Sequence, residues 1–223
     1  VAATDKITSS TALTLRTPSQ QISDAALLDV GIPTLTDGLY LTDESDTVFP
    51  EVRYAEAIYF SNQLAKVMEK SGAWGAIRVT PTDSVIMDLY ITGTILQSDG
   101  ETMDLDIQVR DSSGKQWFAK NYKQTTGKYA YDRRLKRLGD PFQNLFIRIA
   151  NDLLAYREKL SEQQAIELRT ISELRFAKSF SPEAFDSYVS ERRDGTLKID
   201  RLPAENDSIL MRVRKIRDRD YLY

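Results

Sequence analysis

The sequence predicts an α+β fold: a mixed, mainly antiparallel sheet of about four strands with two helices packed on one face, followed by a C-terminal helical subdomain. Three observations carry this. Residues 103–110 alternate strictly, with Met103, Leu105, Ile107 and Val109 on one face and Asp104, Asp106, Gln108 and Arg110 on the other, as in a sheet with one face packed and one wet. Two stretches, 51–71 and 142–153, carry apolar residues at helical spacing. Beyond residue 160, helix-start signals recur without strand alternation. The 223 residues are enough to bury a core. They divide into a flexible N-terminal arm (1–22), an α/β sandwich domain (23–160) and a helical C-terminal subdomain (161–223).

Taken in order, the arm is rich in Thr, Ser and Ala, with a short strand expected over 12–15. Residues 26–32 (ALLDVGI) form an apolar run stopped by Pro33 and fit a buried strand. Residues 34–50 hold Asp37, Gly38, Asp43, Glu44, Asp46 and Pro50 and read as a long acidic loop. The helix over 51–71 shows an apolar face of Val52, Ala55, Tyr59, Leu64, Val67 and Met68, and Gly72 ends it. A strand over 76–79 is closed by Pro81. Three further strands follow at 88–97, 103–110 and 116–122.

The first hairpin permits a sharper expectation. A two-residue turn at Asp99-Gly100 would put Ile95 opposite Asp104, so the apolar faces would disagree. A three-residue loop, Ser98-Asp99-Gly100, pairs Ile95 with Met103, Ile91 with Ile107 and Leu89 with Val109, with positive φ at Gly100. In the third strand, Trp117 and Ala119 are expected to face the core rather than Phe118. Residues 123–139 read as a basic surface loop. Asp140 caps the next helix with Pro141 at its first position, and Phe142, Leu145, Phe146, Ile149 and Leu153 form its stripe. Ser161 and Gln164 form a capping box for a helix carrying Ala165, Leu168, Ile171 and Leu174. Ser181-Pro182 starts a third helix with Phe185, Tyr188 and Val189, and Pro203 precedes a last one with Leu210, Val213 and Ile216.

Composition limits the chemistry. The chain has no His and no Cys, which removes imidazole-based triads, thiol nucleophiles and most zinc, haem and iron–sulfur sites. A catalyst would have to work with carboxylate, Lys, Tyr or Ser. A net charge of -3 argues against a general nucleic-acid binder. No apolar run approaches the ~18 residues of a membrane span.

Candidate sites are few. Gly114-Lys115 fails as a phosphate loop, because Val109 stands where a Gly is needed and Gln116 follows the Lys. Asp37, Asp43, Glu44 and Asp46 lack calcium-loop spacing and read as a solvated acidic loop. No pair of carboxylates is placed across a cleft. No catalytic residue, metal site or cofactor is therefore expected. A partner-binding role falls to Lys128, Tyr129, Tyr131, Arg133, Arg134, Lys136 and Arg137 in the basic loop, and to Trp74, which is expected at the surface between Gly72 and Gly75.

Three segments carry a resemblance. DLYITGTIL (88–96) resembles an "aDyxitGxv" strand, LDIQVRDSSGKQWFAKNY (105–122) resembles an "lxlrlvDxxtGxvlwsxxy" hairpin, and SGAWGAIRVTP (71–81) sits where an "sgxfxvv" strand follows the first helix. These are features of a broad group of envelope lipoproteins: the curli-secretion lipoprotein, penicillin-binding-protein activators, flagellar assembly lipoproteins and the N-terminal domain of the Tol–Pal propeller protein. The resemblance covers about residues 25–158. Gly93, Asp111 and Gly114, which match it, are structural positions, so it brings no catalytic residue. The pore-forming insertions of the curli-secretion lipoprotein are not evident.

The resemblance implies a non-enzymatic periplasmic domain of a bacterial outer-membrane lipoprotein. Such a domain would bind an envelope protein or peptidoglycan as scaffold or activator of an envelope assembly, and a lipidated Cys ahead of Val1 would hold it to the outer membrane. The alternative is an auxiliary lipoprotein subunit of a lipid or solute transport system, which requires a small apolar groove between sheet and tail. An open sheet edge would offer strand addition.

Overall fold

The strict alternation of residues 103–110 sets the architecture of the structure, a computed structural model that describes residues 5–7, 13–41, 48–126, 140–204 and 207–220. Its elements in chain order are β1 (Asp5–Ile7), β2 (Val30–Pro33), α1 (Pro50–Ser71), β3 (Ile77–Thr80), β4 (Leu89–Ser98), β5 (Thr102–Asp111) and β6 (Gln116–Thr125). They continue with α2 (Gln143–Arg157), α3 (Glu162–Phe180), α4 (Pro182–Phe185), β7 (Val189–Glu191), β8 (Leu197–Ile199) and α5 (Ser208–Asp220). The fold is α+β.

The sheet has six strands rather than about four, in the order β1-β6-β5-β4-β2-β3. The long strands β4, β5 and β6 form an antiparallel meander. The short strands β1, β2 and β3 join it in parallel, β1 at one end and β2 with β3 at the other. One face carries Leu89, Ile91, Ile95, Met103, Leu105, Ile107 and Val109, all buried. Against it lie α1 and α2, joined by Phe60 and Phe146 with ring centroids 6.1 Å apart. On the other face, Asp104, Asp106, Asn121 and Lys123 form a polar cross-strand network.

The first hairpin departs from expectation by one device. Ile91 pairs with Val109 and Ile95 with Leu105, a two-residue shift from the expected partners that keeps the same face inward. Gly100 has φ 83° as expected. The closing turn alone would mismatch the faces, since Ser98 stands opposite Met103. A bulge between Ile95 and Gln97 absorbs the extra residue and restores the apolar register.

A second bulge, between Val109 and Arg110, alters the third strand. Trp117 is buried as expected, but Ala119 is exposed and stands opposite Gln108 on the wet face. Phe118 pairs with Val109, so both aromatics reach Tyr156 of α2, Trp117 stacking at 4.7 Å and Phe118 tilted at 6.3 Å. An irregularity cancels strict alternation here.

Gly93 in mid-β4 marks a close approach of chain. A Cβ there would lie 2.7 Å from Ile107 Cδ1, 2.8 Å from the Asp106 carbonyl and 2.9 Å from Leu35 Cδ2. The segment after β2 crosses at this point, and Thr36 N–H donates to Gly93 O at 2.8 Å. Ser61 of α1 holds the same crossing by accepting from Leu35 N–H at 3.1 Å.

The N-terminal strand lies at 5–7, and residues 13–15 form none. Their backbone bonds go to α2 side chains instead: Leu13 N–H to Asn144, Arg16 N–H to Asn151, and Asn151 to Thr14 O, at 2.8–3.0 Å. Helix α2 starts at Gln143, two residues beyond the expected start. The Asp140 carboxylate accepts from Phe142 N–H in the preceding turn.

The capping box is present, with Ser161 Oγ accepting from Gln164 N–H and Gln164 Oε1 from Ser161 N–H. Helix α3 then joins two cores. Its Ala165 and Leu168 belong to the sheet–helix core, while Leu174 and Ala177 pack with Phe185, Leu210 and Val213. The tail also contains the β7–β8 hairpin, where only helix was expected. Asp194-Gly195 in its turn is a local hairpin signal.

Asp88, 3% exposed, pins α3 to the sheet. Its carboxylate accepts from Asp29 N–H at 2.8 Å and from the Ser172 hydroxyl, with Arg169 Nε 3.7 Å away.

Gly93→Ala should lower stability by about 1–3 kcal/mol through overpacking, read as a lower urea midpoint at unchanged slope. An unchanged midpoint would refute the close approach. Burial, partly offset by the Ser172 hydrogen bond, raises the Asp88 carboxyl above its ordinary value. The folded chain therefore holds this proton more tightly than the unfolded one, and ionised Asp88 is a cost that fades as pH falls through its folded pKa. Wild type should gain on Asp88→Asn in urea midpoint as pH drops from 7 towards the ordinary carboxylate range; a pH-independent difference would contradict this.

Candidate functional site

In its first half helix α1 carries Val52, Tyr54, Ala55, Ala57, Ile58, Tyr59 and Phe60 on several sides, interrupted by Glu51, Arg53 and Glu56, so spacing leaves the inward face undetermined. The structure turns Ala57, Phe60 and Ser61 inward, because Phe60 meets Phe146 there. The expected face is right from Leu64 onward, but Val52, Ala55 and Tyr59 point to solvent instead of the core. Beyond Tyr59 the exposed positions are polar: Lys66, Glu69 and Lys70.

The outcome is an exposed apolar surface at one end of α1. Tyr40, Leu41, Phe49, Val52, Tyr54, Ile58 and Tyr59 are between 46% and 72% exposed. A cavity of about 670 Å³ adjoins it, between Phe49, Val52 and Glu56 on one side and the β4–β5 turn on the other. Ser98 Oγ ties the two walls by donating to Glu56 at 2.7 Å, and Glu56 also pairs with Arg53 on its own helix at 3.3 Å. Tyr59 donates its hydroxyl to Asp140 at 3.0 Å; burial, and then Asp140, raise its pKa. Large apolar side chains exposed in this number within twenty residues are a candidate interaction site.

A second concavity, about 1020 Å³, runs along the outer edge of β3. Ala65, Lys66 and Glu69 of α1 line it together with Ile77, Arg78, Val79, Pro81, Val85 and Ile86. Phe176 of α3 and Arg217 of α5 also line it, with polar Asn62, Thr80, Ser84 and Ser179.

A third, about 400 Å³, lies between the wet face of the sheet and the β7–β8 hairpin. Tyr90, Thr92, Gln108, Arg110, Arg175 and Glu191 make it polar. The Asp111 turn at its rim is a structural knot. Oδ1 accepts from Ser113 and Lys115 N–H, and Oδ2 from Trp117 Nε1 at 2.9 Å. The groove between sheet and tail is thus polar here, and partly apolar only at the β3 edge.

Trp74 is 7% exposed, a correction to its expected surface position. Gly75 N–H bonds Leu28 O at 2.9 Å and Ala76 N–H bonds Asp29 Oδ1 at 2.8 Å, which draws the turn against the chain before β2 and the indole into the core. Lys128, Tyr129, Tyr131, Arg133, Arg134, Lys136 and Arg137 lie outside the described residues, as do Asp43, Glu44 and Asp46. Asp37 makes a local turn, accepting from Leu39 N–H at 2.9 Å. Among the described residues no cluster of three potential acidic metal ligands occurs, and no helix is long and apolar enough to cross a membrane.

No protein-family model matches the chain, and no curated protein sequence matches it. Solved structures give distant similarities. PelC from Paraburkholderia phytofirmans, solved as a dodecamer, is 16% identical over 70% of this chain and 95% of its own, with a TM-score of 0.33. The hypothetical protein CT253 from Chlamydia trachomatis is 13% identical over 59% of this chain and 99% of its own, at 0.39. Lipoprotein GNA1162 from Neisseria meningitidis is 11% identical over 60% and 99%, at 0.24. None of the three is close enough to carry a functional assignment.

The outward face of α1 should be separable from folding. Tyr54→Ser and Ile58→Ser should each change stability by no more than about 0.5 kcal/mol, whereas Phe60→Ala should cost about 3–5 kcal/mol. Urea denaturation followed by far-UV circular dichroism reads all three. A large loss in the first two would show that those side chains pack in the fold.

Proposed function

We propose that this chain is a non-enzymatic domain of a bacterial envelope lipoprotein, held at the periplasmic side of the outer membrane by an anchor outside the described residues. It binds a partner envelope protein and acts as scaffold or activator of an assembly. One observation carries the reading: the seven large apolar side chains exposed from Tyr40 to Tyr59. Four of them are aromatic, three Tyr and one Phe, the class enriched where protein partners meet. Aliphatic Leu41, Val52 and Ile58 among them favour a protein partner over peptidoglycan.

A second reading, an auxiliary lipoprotein subunit of a lipid or solute transport system, draws on the cleft of about 1020 Å³ at the β3 edge. Its volume suits a drug-sized or acyl ligand, and Ala65, Ile77, Val79, Val85, Ile86 and Phe176 supply apolar wall.

The two are told apart in intact cells. A photo-cross-linking amino acid at Tyr54 should give one discrete protein adduct, weakened by Ile58→Asp, while the same group at Asp106 on the wet face gives none. Equal adducts at both positions, or none at Tyr54, would reject the partner-protein reading. Phospholipid captured from position 79 in place of protein at 54 would support the second.

A further inference from the structure

Buried charges in this fold have counterparts. Arg53 pairs with Glu56, and Asp104 with Lys123. Asp88 and Asp111 each accept hydrogen bonds on both carboxylate oxygens. Arg157, in the last turn of α2 and only 5% exposed, departs from this pattern. Its Nη2 donates to Ala26 O at 2.8 Å, its Nε is buried without an acceptor, and it forms no ion pair among the described residues. One of the five guanidinium N–H donors is thus satisfied by the described chain. Burial lowers the Arg157 pKa, but a guanidinium keeps its proton at any working pH, so the charge is fixed. A buried cation without a counter-charge is costly, and an anion that reaches it offsets that cost.

Arg157 lines a cavity of about 410 Å³. Residues 18–23 form one wall, and Glu158, Leu160 and Glu162, where α2 turns into α3, form the other. The walls are tied across. Ser19 N–H donates to Glu158 at 2.9 Å, and Ser23 Oγ donates to Glu162 at 2.5 Å. Arg16 offsets the Glu158 charge at 2.9 Å, whereas exposed Glu162 has no cation beside it among the described residues.

These groups select a ligand. The planar fork of arginine matches a carboxylate. The negative charge of Glu162 repels a dianion such as a phosphate monoester more than a single carboxylate on a neutral or zwitterionic body. Ser19, Gln20 and Gln21 offer hydrogen bonds to a polar body, and Pro18, Ile22 and Leu160 offer apolar contact. The volume falls in the range of small-molecule sites.

We propose that this cavity is a carboxylate-binding site in which Arg157 receives the α-carboxylate of a free amino acid or of a peptide C-terminus. It shares no lining residue with the outward face of α1 or the cleft at the β3 edge, so its failure leaves the readings above untouched.

The test is titration of the isotope-labelled full chain, followed by NMR at the Arg157 Nε–H resonance. The probes are alanine, N-acetyl-alanyl-alanine, the amide of that dipeptide, and inorganic phosphate. The expected result is a saturable shift with the two carboxylates and none with the amide. Tighter binding of the acetylated dipeptide would name a peptide C-terminus as the source, and tighter binding of alanine a free amino acid. Arg157→Lys keeps the charge but loses the fork, and should weaken binding at least ten-fold with the circular dichroism spectrum unchanged. Should that variant fail to fold, the contrast between acid and amide on the wild type still decides. Glu162→Gln, at an exposed position, should improve phosphate binding. Equal shifts with acid and amide, or none with any probe up to about 10 mM, would overturn the site. Phosphate binding as tightly as the carboxylates to the wild type would overturn the carboxylate class.

Discussion

Two carboxylates, Asp29 and Asp88, hold together the point where three parallel strands begin. Asp29 Oδ1 takes Ala76 N–H at the start of β3, and Asp29 O takes Asp88 and Leu89 N–H at the start of β4. Asp88 returns the bond by accepting Asp29 N–H ahead of β2. The knot leaves no room for a side chain at Gly75, where a Cβ would lie 2.3 Å from Asp29 Oδ1. It therefore fixes β2 between β4 and β3, which makes β3 the edge. It also receives Ser172 of α3, which seats the tail beside that edge. Breaking a buried, hydrogen-bonded carboxylate of this kind exposes every group it satisfies to an unpaired state.

The same logic of satisfied polar groups explains how tail and sheet are joined. Ser112 Oγ donates to Leu168 O at 2.6 Å, Arg175 donates to Ser112 O at 3.1 Å, and Leu197 N–H donates to Ser113 O at 2.7 Å. The β5–β6 turn thus serves three purposes at once. It closes a hairpin, holds Trp117 through Asp111, and docks both α3 and the β7–β8 hairpin. Because α3 is continuous through both apolar clusters, the tail is placed by a helix and by hydrogen bonds rather than by a linker.

What remains at the surface is a consequence of that frame. The first half of α1 has more apolar side chains than one face of a helix can bury, so the surplus is exposed. Among the described residues no strand pairs with the outer edge of β3, and the tail lies beside it. Both features are unusual for a protein that had only to be stable, since apolar surface and open edges invite association. The functional readings rest on these two features.

Much of the fold was legible from local chemistry. Strict alternation in β5 fixes which residues are inside, Ser161 and Gln164 mark the start of α3, and Gly100 announces a left-handed turn; each is decided by residues within a few positions of one another. The polar groove and the outward face of α1 were not legible. Register in the β4–β5 hairpin depends on a bulge whose reason is the buried face as a whole, and the first half of α1, with apolar residues on several sides, offers no preferred side until Phe146 is brought against Phe60. Trp74 went inside for a similar reason, pulled by hydrogen bonds to Leu28 and Asp29 more than forty positions away. The sequence by itself determined the types of the long elements from α1 to α3, the inward face of β5, the capping box and the chemistry that the lack of His and Cys excludes, because these depend on residue identity and short spacing. Only the tertiary structure decided which apolar residues are surplus, which strand is the edge and what stands beside it, because those depend on contacts between segments far apart in the chain.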